Sequence, residues 1–358
     1  MSGIRARMVL DWRSAWFGGP LLLLCFGFLL LVAGGPGRAM AQVVTAPDQV
    51  HITPKEQPSK NKPPKGVDAT SAGMNMNKIG DRPISVNVNL VLVPVTVTDP
   101  MNRLVTGLEK ENFNVFENNK NEPIQTFSSE DEPITVGVIF DMSGSMSNKI
   151  EKSKQAVIEF FKTANPEDEF FLIAFNDRPE LISDFTSSIE DIQGKLVYPV
   201  AKGRTALLDA IYFGMNKMRN AKYQKKALLV ISDGGDNRSR YTDHEIKSMV
   251  KEADVMIYSI GLFDYNPGTA EERSGPYLLS EISDATGGRL FRIDDPSELS
   301  DTAAKIGIEL RNQYVIGYRP DNAAHDGKWR KIKVKLSPPK GLPQLMVHAK
   351  TGYYAPGQ

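Results

Sequence analysis

The chain has 358 residues, of which 41% are hydrophobic and 24% charged, the balance of an ordinary globular protein. At that length one large and one small domain is the natural expectation. Lys plus Arg equals Asp plus Glu at 43 each, so no basic excess favours nucleic acid or an anionic membrane surface, and any interaction must come from a local site.

Residues 1–41 have the layout of a secretory signal peptide. Arg5, Arg7 and Arg13 precede an apolar run from Leu21 to Ala33, and Ala39-Met40-Ala41 supplies small residues for cleavage before Gln42. The run is shorter than the ~20 residues of a membrane span, which favours cleavage over an uncleaved anchor. Export to a periplasmic or extracellular compartment follows. Cys25 is the one cysteine and lies inside this segment, so a processed chain holds neither disulfides nor thiolate metal sites. Residues 42–79 are polar and rich in proline, and read as a flexible tether.

Residues 80–130 form a β-rich segment. Val86, Val88, Leu90 and Leu92 alternate with polar residues in the period of a half-buried strand. After Pro94 the apolar phase moves to Val95 and Val97, which predicts a bulge or an edge position. Short strands follow around Phe113–Glu117 and Ile124–Phe127, on either side of a polar turn.

From 131 to 312 the character changes. Val136–Phe140, Phe170–Phe175, Ala227–Ile231 and Val255–Ile260 are near-continuous apolar runs, as expected of strands covered on both faces. Leu181–Phe185 reads as a short edge strand and Leu290–Ile293 as the last of the sheet. Amphipathic helices are predicted over 148–162 and from Leu207 to Met218. A closing helix is marked by Asp295 as cap, Pro296 at the first position and Glu298 completing a capping box. Phe263 to Gly275 reads as a long loop. The alternation predicts an α/β fold with a doubly wound, mostly parallel sheet. Residues 313–358 return to β, with Tyr314–Tyr318, an alternating Lys331–Leu336 and Leu345–Ala349. Neither β flank builds a stable sheet alone, so the two are expected to pair into one small β-sandwich carrying the α/β domain as an insert.

The chemistry sits in three loops. Asp141-Met142-Ser143-Gly144-Ser145 follows the first buried strand, Asp233-Gly234-Gly235-Asp236 follows Ala227–Ser232, and Thr205 lies in the loop feeding a helix. Strand carboxyl ends are where open α/β sheets bind ligands. Two carboxylates and three hydroxyls are hard oxygen ligands, suited to Mg²⁺, with Ca²⁺ or Mn²⁺ as alternatives to it, and not to zinc. Five protein groups leave one position of an octahedron open, which an Asp or Glu of a partner protein would fill. His51, His244, His325 and His348 have no partner at metal-ligand spacing.

Asp141-x-Ser143-x-Ser145 with Thr205 and Asp233 resembles the metal-ion-dependent adhesion site of von Willebrand factor A domains, matched in order at all five positions. Thr205-Ala206-Leu207-Leu208-Asp209-Ala210 and Ser232-Asp233-Gly234 resemble the second and third site loops of that family. The resemblance covers roughly 133–312, and the flanks resemble a bacterial exported subgroup. It implies direct metal binding by Ser143 and Ser145, with Thr205 direct in a ligand-competent state and Asp141 and Asp233 direct or through water. Arg204 departs from the glycine common in the family. Asp209 is open between support of the site and a helix-terminus role, and Asp236 is expected to stabilise its loop.

The leading reading is a metal-dependent protein-binding module without catalysis. The rival is a Mg²⁺-dependent phosphatase, which also places an Asp after its first strand. Met142-Ser143 stands where such an enzyme carries its second carboxylate, and no other general base is evident. A structural domain with an empty site is the third possibility.

Overall fold

The structure is a computed structural model that describes residues 49–51, 90–129, 131–196 and 200–357, all within a unit spanning Ala46–Gln358. The leader read over 1–41, most of the tether and the start of the strand at Val86 lie outside the described residues.

The N-terminal flank contributes β1 (Gln49–His51), β2 (Val91–Thr98), β3 (Leu104–Thr106), β4 (Phe113–Glu117), β5 (Lys120–Glu122) and β6 (Ile124–Ser128). The C-terminal flank contributes β13 (Tyr314–Tyr318), β14 (Trp329–Leu336), β15 (Met346–Ala349) and β16 (Gly352–Tyr354). One sheet runs β1-β3-β2-β13-β6, with β15 also on β2, and the other runs β16-β14-β4-β5. The flanks interleave: β2 pairs with β13 and β15, β6 with β13, and β4 with β14. Val93, Val95, Val97, Phe113, Val115, Tyr314, Ile316 and Ile332 form the core between the sheets. In β14, Ile332 and Val334 point inward while Lys331, Lys333 and Lys335 are exposed, as the alternation predicts.

Two expectations for this region are corrected. Gln49–His51, read as part of the tether, is a strand parallel to Leu104–Thr106. Backbone hydrogen bonding to an exposed sheet edge needs no apolar pattern, so composition did not reveal it. Pro94 makes no bulge either: β2 pairs with β13 in continuous register from Val91 to Val95, with Pro94 opposite Val315. The phase changes because both faces of β2 are covered. Val93, Val95 and Val97 enter the sandwich core, while Thr96, on the other face, is buried against Tyr258 of the α/β body.

That body comprises β7 (Ile134–Asp141), α1 (Ile150–Lys162), β8 (Glu169–Phe175), β9 (Pro179–Thr186), α2 (Ile189–Leu196), α3 (Leu207–Lys217), β10 (Lys225–Ser232), α4 (Asp243–Glu252), β11 (Met256–Gly261), α5 (Ala270–Thr286), β12 (Leu290–Arg292) and α6 (Leu299–Arg311). The sheet order is β12-β11-β10-β7-β8-β9, parallel throughout except for β9 at the edge. Every residue of β7 is buried, because both faces carry helices. Val136, Val138 and Phe140 meet Val157, Phe160 and Ile306 on one side. Ile139, Leu228 and Val230 meet Ile211, Ile246 and Leu279 on the other.

The closing helix also differs in detail. Asp295 accepts from the Ser297 N–H at 2.8 Å, but Pro296–Glu298 is a single 3-10 turn and no capping box forms with Glu298. Buried polar groups tie the body to the sandwich. The Gln313 side-chain amide donates to Thr96 Oγ1 at 3.2 Å and to Tyr258 Oη at 3.3 Å. Arg289 reaches both Glu309 and Asn102.

Candidate metal centre

Register brings the site loops together. β7 and β10 run parallel with Ile231 opposite Phe140, so Asp141 and Ser232-Asp233 emerge side by side at the carboxyl edge. The first loop is then bonded to the Thr205 loop: Lys202 N–H donates to Met142 C=O at 2.8 Å, and Gly144 N–H to Gly203 C=O at 3.0 Å. The Thr205 loop is bonded in turn to the third. Asn237 and Arg238 N–H groups donate to Thr205 C=O at 3.0 and 3.1 Å, and Thr205 N–H donates to Asn237 Oδ1 at 3.1 Å. Three crossing segments are thus held together largely by main-chain bonds.

Asp141, Ser143, Thr205 and Asp233 are buried, whereas Ser145 is exposed and opens the cluster to solvent. Asp141 Oδ1 accepts from Ser143 N–H at 2.8 Å, and its Oδ2 accepts from the Ser232 hydroxyl at 2.5 Å. The hydroxyls of Ser143 and Ser145 stand 3.0 Å apart. Asp233 Oδ1 accepts from Gly235 N–H at 3.4 Å, but its Oδ2 is buried with no hydrogen-bond partner.

The electrostatics show a shortage of positive charge. Burial, reinforced by the nearby Asp233 carboxylate, pushes the Asp141 carboxyl up to about 7. Burial likewise raises Asp233, against the lowering influence of Ser145 and of the Lys149 ammonium. A buried, unsatisfied carboxylate oxygen is costly unless something fills it. Among the described residues no group of three or more His, Cys, Asp or Glu is placed to hold a metal ion. The available donors are two carboxylates and hydroxyls, a set that fits a hard divalent cation and excludes a thiolate or imidazole site.

The surrounding acids have other duties. Asp209 accepts from the N–H groups of Arg240 and Tyr241 at 2.8 and 3.3 Å, so it holds the turn that follows the third loop. Asp236 accepts from Leu208 N–H at 2.9 Å and from the Ser239 hydroxyl at 2.5 Å, capping α3 from across the sequence. Sequence reasoning missed Ser232, the buried partner of Asp141. Its signal was its place at the strand end, immediately before Asp233.

The reading of 263–275 as a loop is corrected from Ala270 onward. Thr269 and Glu272 form a capping box, and α5 runs through Gly275 and Pro276. The pair reads as loop punctuation, yet Gly275 is there because α5 lies directly on the Asp233 loop. A Cβ on Gly275 would sit 2.7 Å from the carbonyl carbon of Gly234, whose own φ of +79° suits glycine. Gly275→Ala is therefore expected to lower the unfolding free energy by about 1–3 kcal/mol, read as a fall in melting temperature.

Residues 136–235 match the von Willebrand factor type A domain family. The chain is 24% identical over 182 residues to an uncharacterized protein of Borreliella burgdorferi, covering 44% of this chain and 53% of that one. It is 24% identical over 211 residues to inter-alpha-trypsin inhibitor heavy chain H4 of Homo sapiens, covering 54% and 22%. The matched stretches thus span about half of the first relative and about a fifth of the second. Among solved structures, a von Willebrand factor type A protein from Catenulispora acidiphila aligns with a TM-score of 0.44 at 13% identity, covering 74% of this chain and 75% of that one. The matched residues lie within the α/β body carried by the sandwich, and run from its central strand β7 past the carboxyl end of β10. Among the described residues no helix is long and apolar enough to cross a membrane.

Proposed function

We propose that the protein is an exported, metal-dependent binding module that takes an acidic side chain of a partner protein at the rim built by Asp141, Ser143, Ser145, Thr205 and Asp233. The observation that carries this reading is the buried, unpartnered Oδ2 of Asp233, set near a second buried carboxylate and two serine hydroxyls. Mg²⁺ suits this donor set best, with Ca²⁺ or Mn²⁺ as alternatives. A bound divalent cation would supply concentrated positive charge and an open coordination position for a carboxylate.

The protein's own groups favour the same partner. Arg204 and Arg238 are exposed on the two loops that meet at Thr205, and neither side chain forms an ion pair with a described residue. Two free guanidinium groups beside the rim raise the local concentration of an acidic ligand. Von Willebrand factor type A domains generally bind protein partners, and the leader over 1–41 supports export. Ser143 occupies the place of a second catalytic carboxylate, which disfavours phosphoryl transfer.

The test is a melting experiment with metal alone. Saturating MgCl₂ at about 100 times its Kd should stabilise the protein by about 2.7 kcal/mol, a rise of roughly 5–10 °C for a domain of this size. Asp141→Ala should abolish that rise; an unchanged shift would sink the site. Capture of a partner from an exported fraction should likewise be lost in chelator, and persistence there would exclude adhesion through the metal.

A further inference from the structure

Lys149 is an unusual residue for its position. It stands at the N-terminal cap of α1, where the helix macrodipole already favours negative charge, and its side chain is only 7% exposed. Burying an ammonium at the positive end of a helix is unfavourable on both counts unless nearby groups compensate. Two do so. Its Nζ donates to the main-chain carbonyl of Leu262 at 2.9 Å and pairs with Asp264 Oδ1 at 2.9 Å.

Both partners come from the segment after β11, 113 and 115 residues further along the chain. That segment is tied to the candidate metal loop, since Leu262 N–H donates to Ser232 C=O at 3.1 Å. Lys149 and Asp264 therefore form their pair next to the edge that bears Asp233. The two carry opposite charges, so the ammonium repels a cation bound at that edge and the Asp264 carboxylate attracts it. The two partners differ in access, because Asp264 is 53% exposed while Lys149 is enclosed.

We infer that the Lys149–Asp264 pair sets the divalent-metal affinity of the adhesion rim, with Lys149 as a resident cation that competes with the metal and Asp264 as the group that restrains it. This rests on the metal-site reading above. With Asp264 in place, the ammonium is held on Asp264 and Leu262 C=O, and Asp233 keeps a free oxygen for the ion. Without Asp264, the same ammonium loses a neutralising charge and turns its field on Asp233. The segment from Leu262 to Gly268 lies beside the rim and carries the almost fully exposed Tyr265. A partner that engages this segment would thereby act on metal affinity, and the metal on partner affinity by the same factor.

A purely structural clamp and an electrostatic regulator predict different outcomes. If the pair merely pins the segment to α1, removing either member weakens Mg²⁺ binding. If the pair acts by charge, the two removals have opposite signs. The experiment is titration of the full chain with MgCl₂ and, separately, MnCl₂, followed by calorimetry and by thermal shift. Lys149→Met should tighten both metals by about 3- to 10-fold, and Asp264→Asn should weaken them by a similar factor. Lys149→Arg keeps the charge and should stay within about twofold of the parent, which guards against misfolding of the methionine variant. Raising NaCl should shrink the Asp264→Asn effect, since that residue is half exposed. Parallel losses in Lys149→Met and Asp264→Asn would overturn the inference while leaving the metal site intact. Absence of any Mg²⁺ or Mn²⁺ response in the parent protein would instead overturn the metal-site reading itself.

Discussion

Removing residues 313–358 is expected to unfold the N-terminal flank as well, although that flank lies more than 180 residues upstream. β2 loses β13 and β15, β6 loses β13, and β4 loses β14. Tyr314, Ile316, Tyr318, Ile332 and Val334 leave the core at once. At about 1.5–3 kcal/mol for each buried side chain, the loss is on the order of 10 kcal/mol, as large as the whole stability of a typical domain. Limited proteolysis of the truncated chain should cut within Val91–Thr98 at low protease. If those residues stay protected, the two flanks do not depend on one another.

The second large effect is a dependence of stability on pH that metal reverses. In metal-free protein the Asp141 carboxyl titrates near 7, raised chiefly by burial and then by Asp233, against an ordinary value of 3.8. Its folded-state pKa is raised, so the folded state holds the extra proton between about pH 4 and pH 7. The stability from that proton is fully present below about pH 4 and is lost as pH rises through 7, with a slope of at most about 1.4 kcal/mol per pH unit. Divalent cations need the ionised form, so stabilisation by Mg²⁺ should grow over the same window. Urea unfolding at pH 5 and pH 7.5, in chelator and in MgCl₂, measures both trends. Asp141→Asn should flatten each of them. A metal-free protein that gains stability from pH 5 to 7.5 through this residue would contradict the buried-carboxylate argument.

Much of this is legible in the sequence, for identifiable reasons. Strands covered on both faces are written as unbroken apolar runs, so Val136–Phe140, Phe170–Phe175 and Ala227–Ile231 announce a doubly wound sheet. The site loops could be placed because their residues follow directly on those runs. What stayed hidden depends on contacts between distant segments. The Lys149–Asp264 pair exists because sheet order sets β11 two strands from β7. Gly275 reads as a breaker until Gly234 is seen beneath it. The change of phase after Pro94 reads as a bulge or an edge position because alternation assumes one wet face, whereas β2 has none along 95–98.

The join between the two bodies has a consequence for how the chain comes together. The chain leaves the sandwich from β6 and returns to it in β13, and these strands are direct neighbours, with Ser128 opposite Val315. Topologically the whole α/β body occupies the place of a hairpin turn. Closing an unstructured loop of on the order of 200 residues would cost about 5 kcal/mol in chain entropy. A folded insert whose two ends already lie a strand's width apart removes most of that cost. The order of assembly is thereby biased: the inner domain closes first, and the outer sheets zip up around its termini.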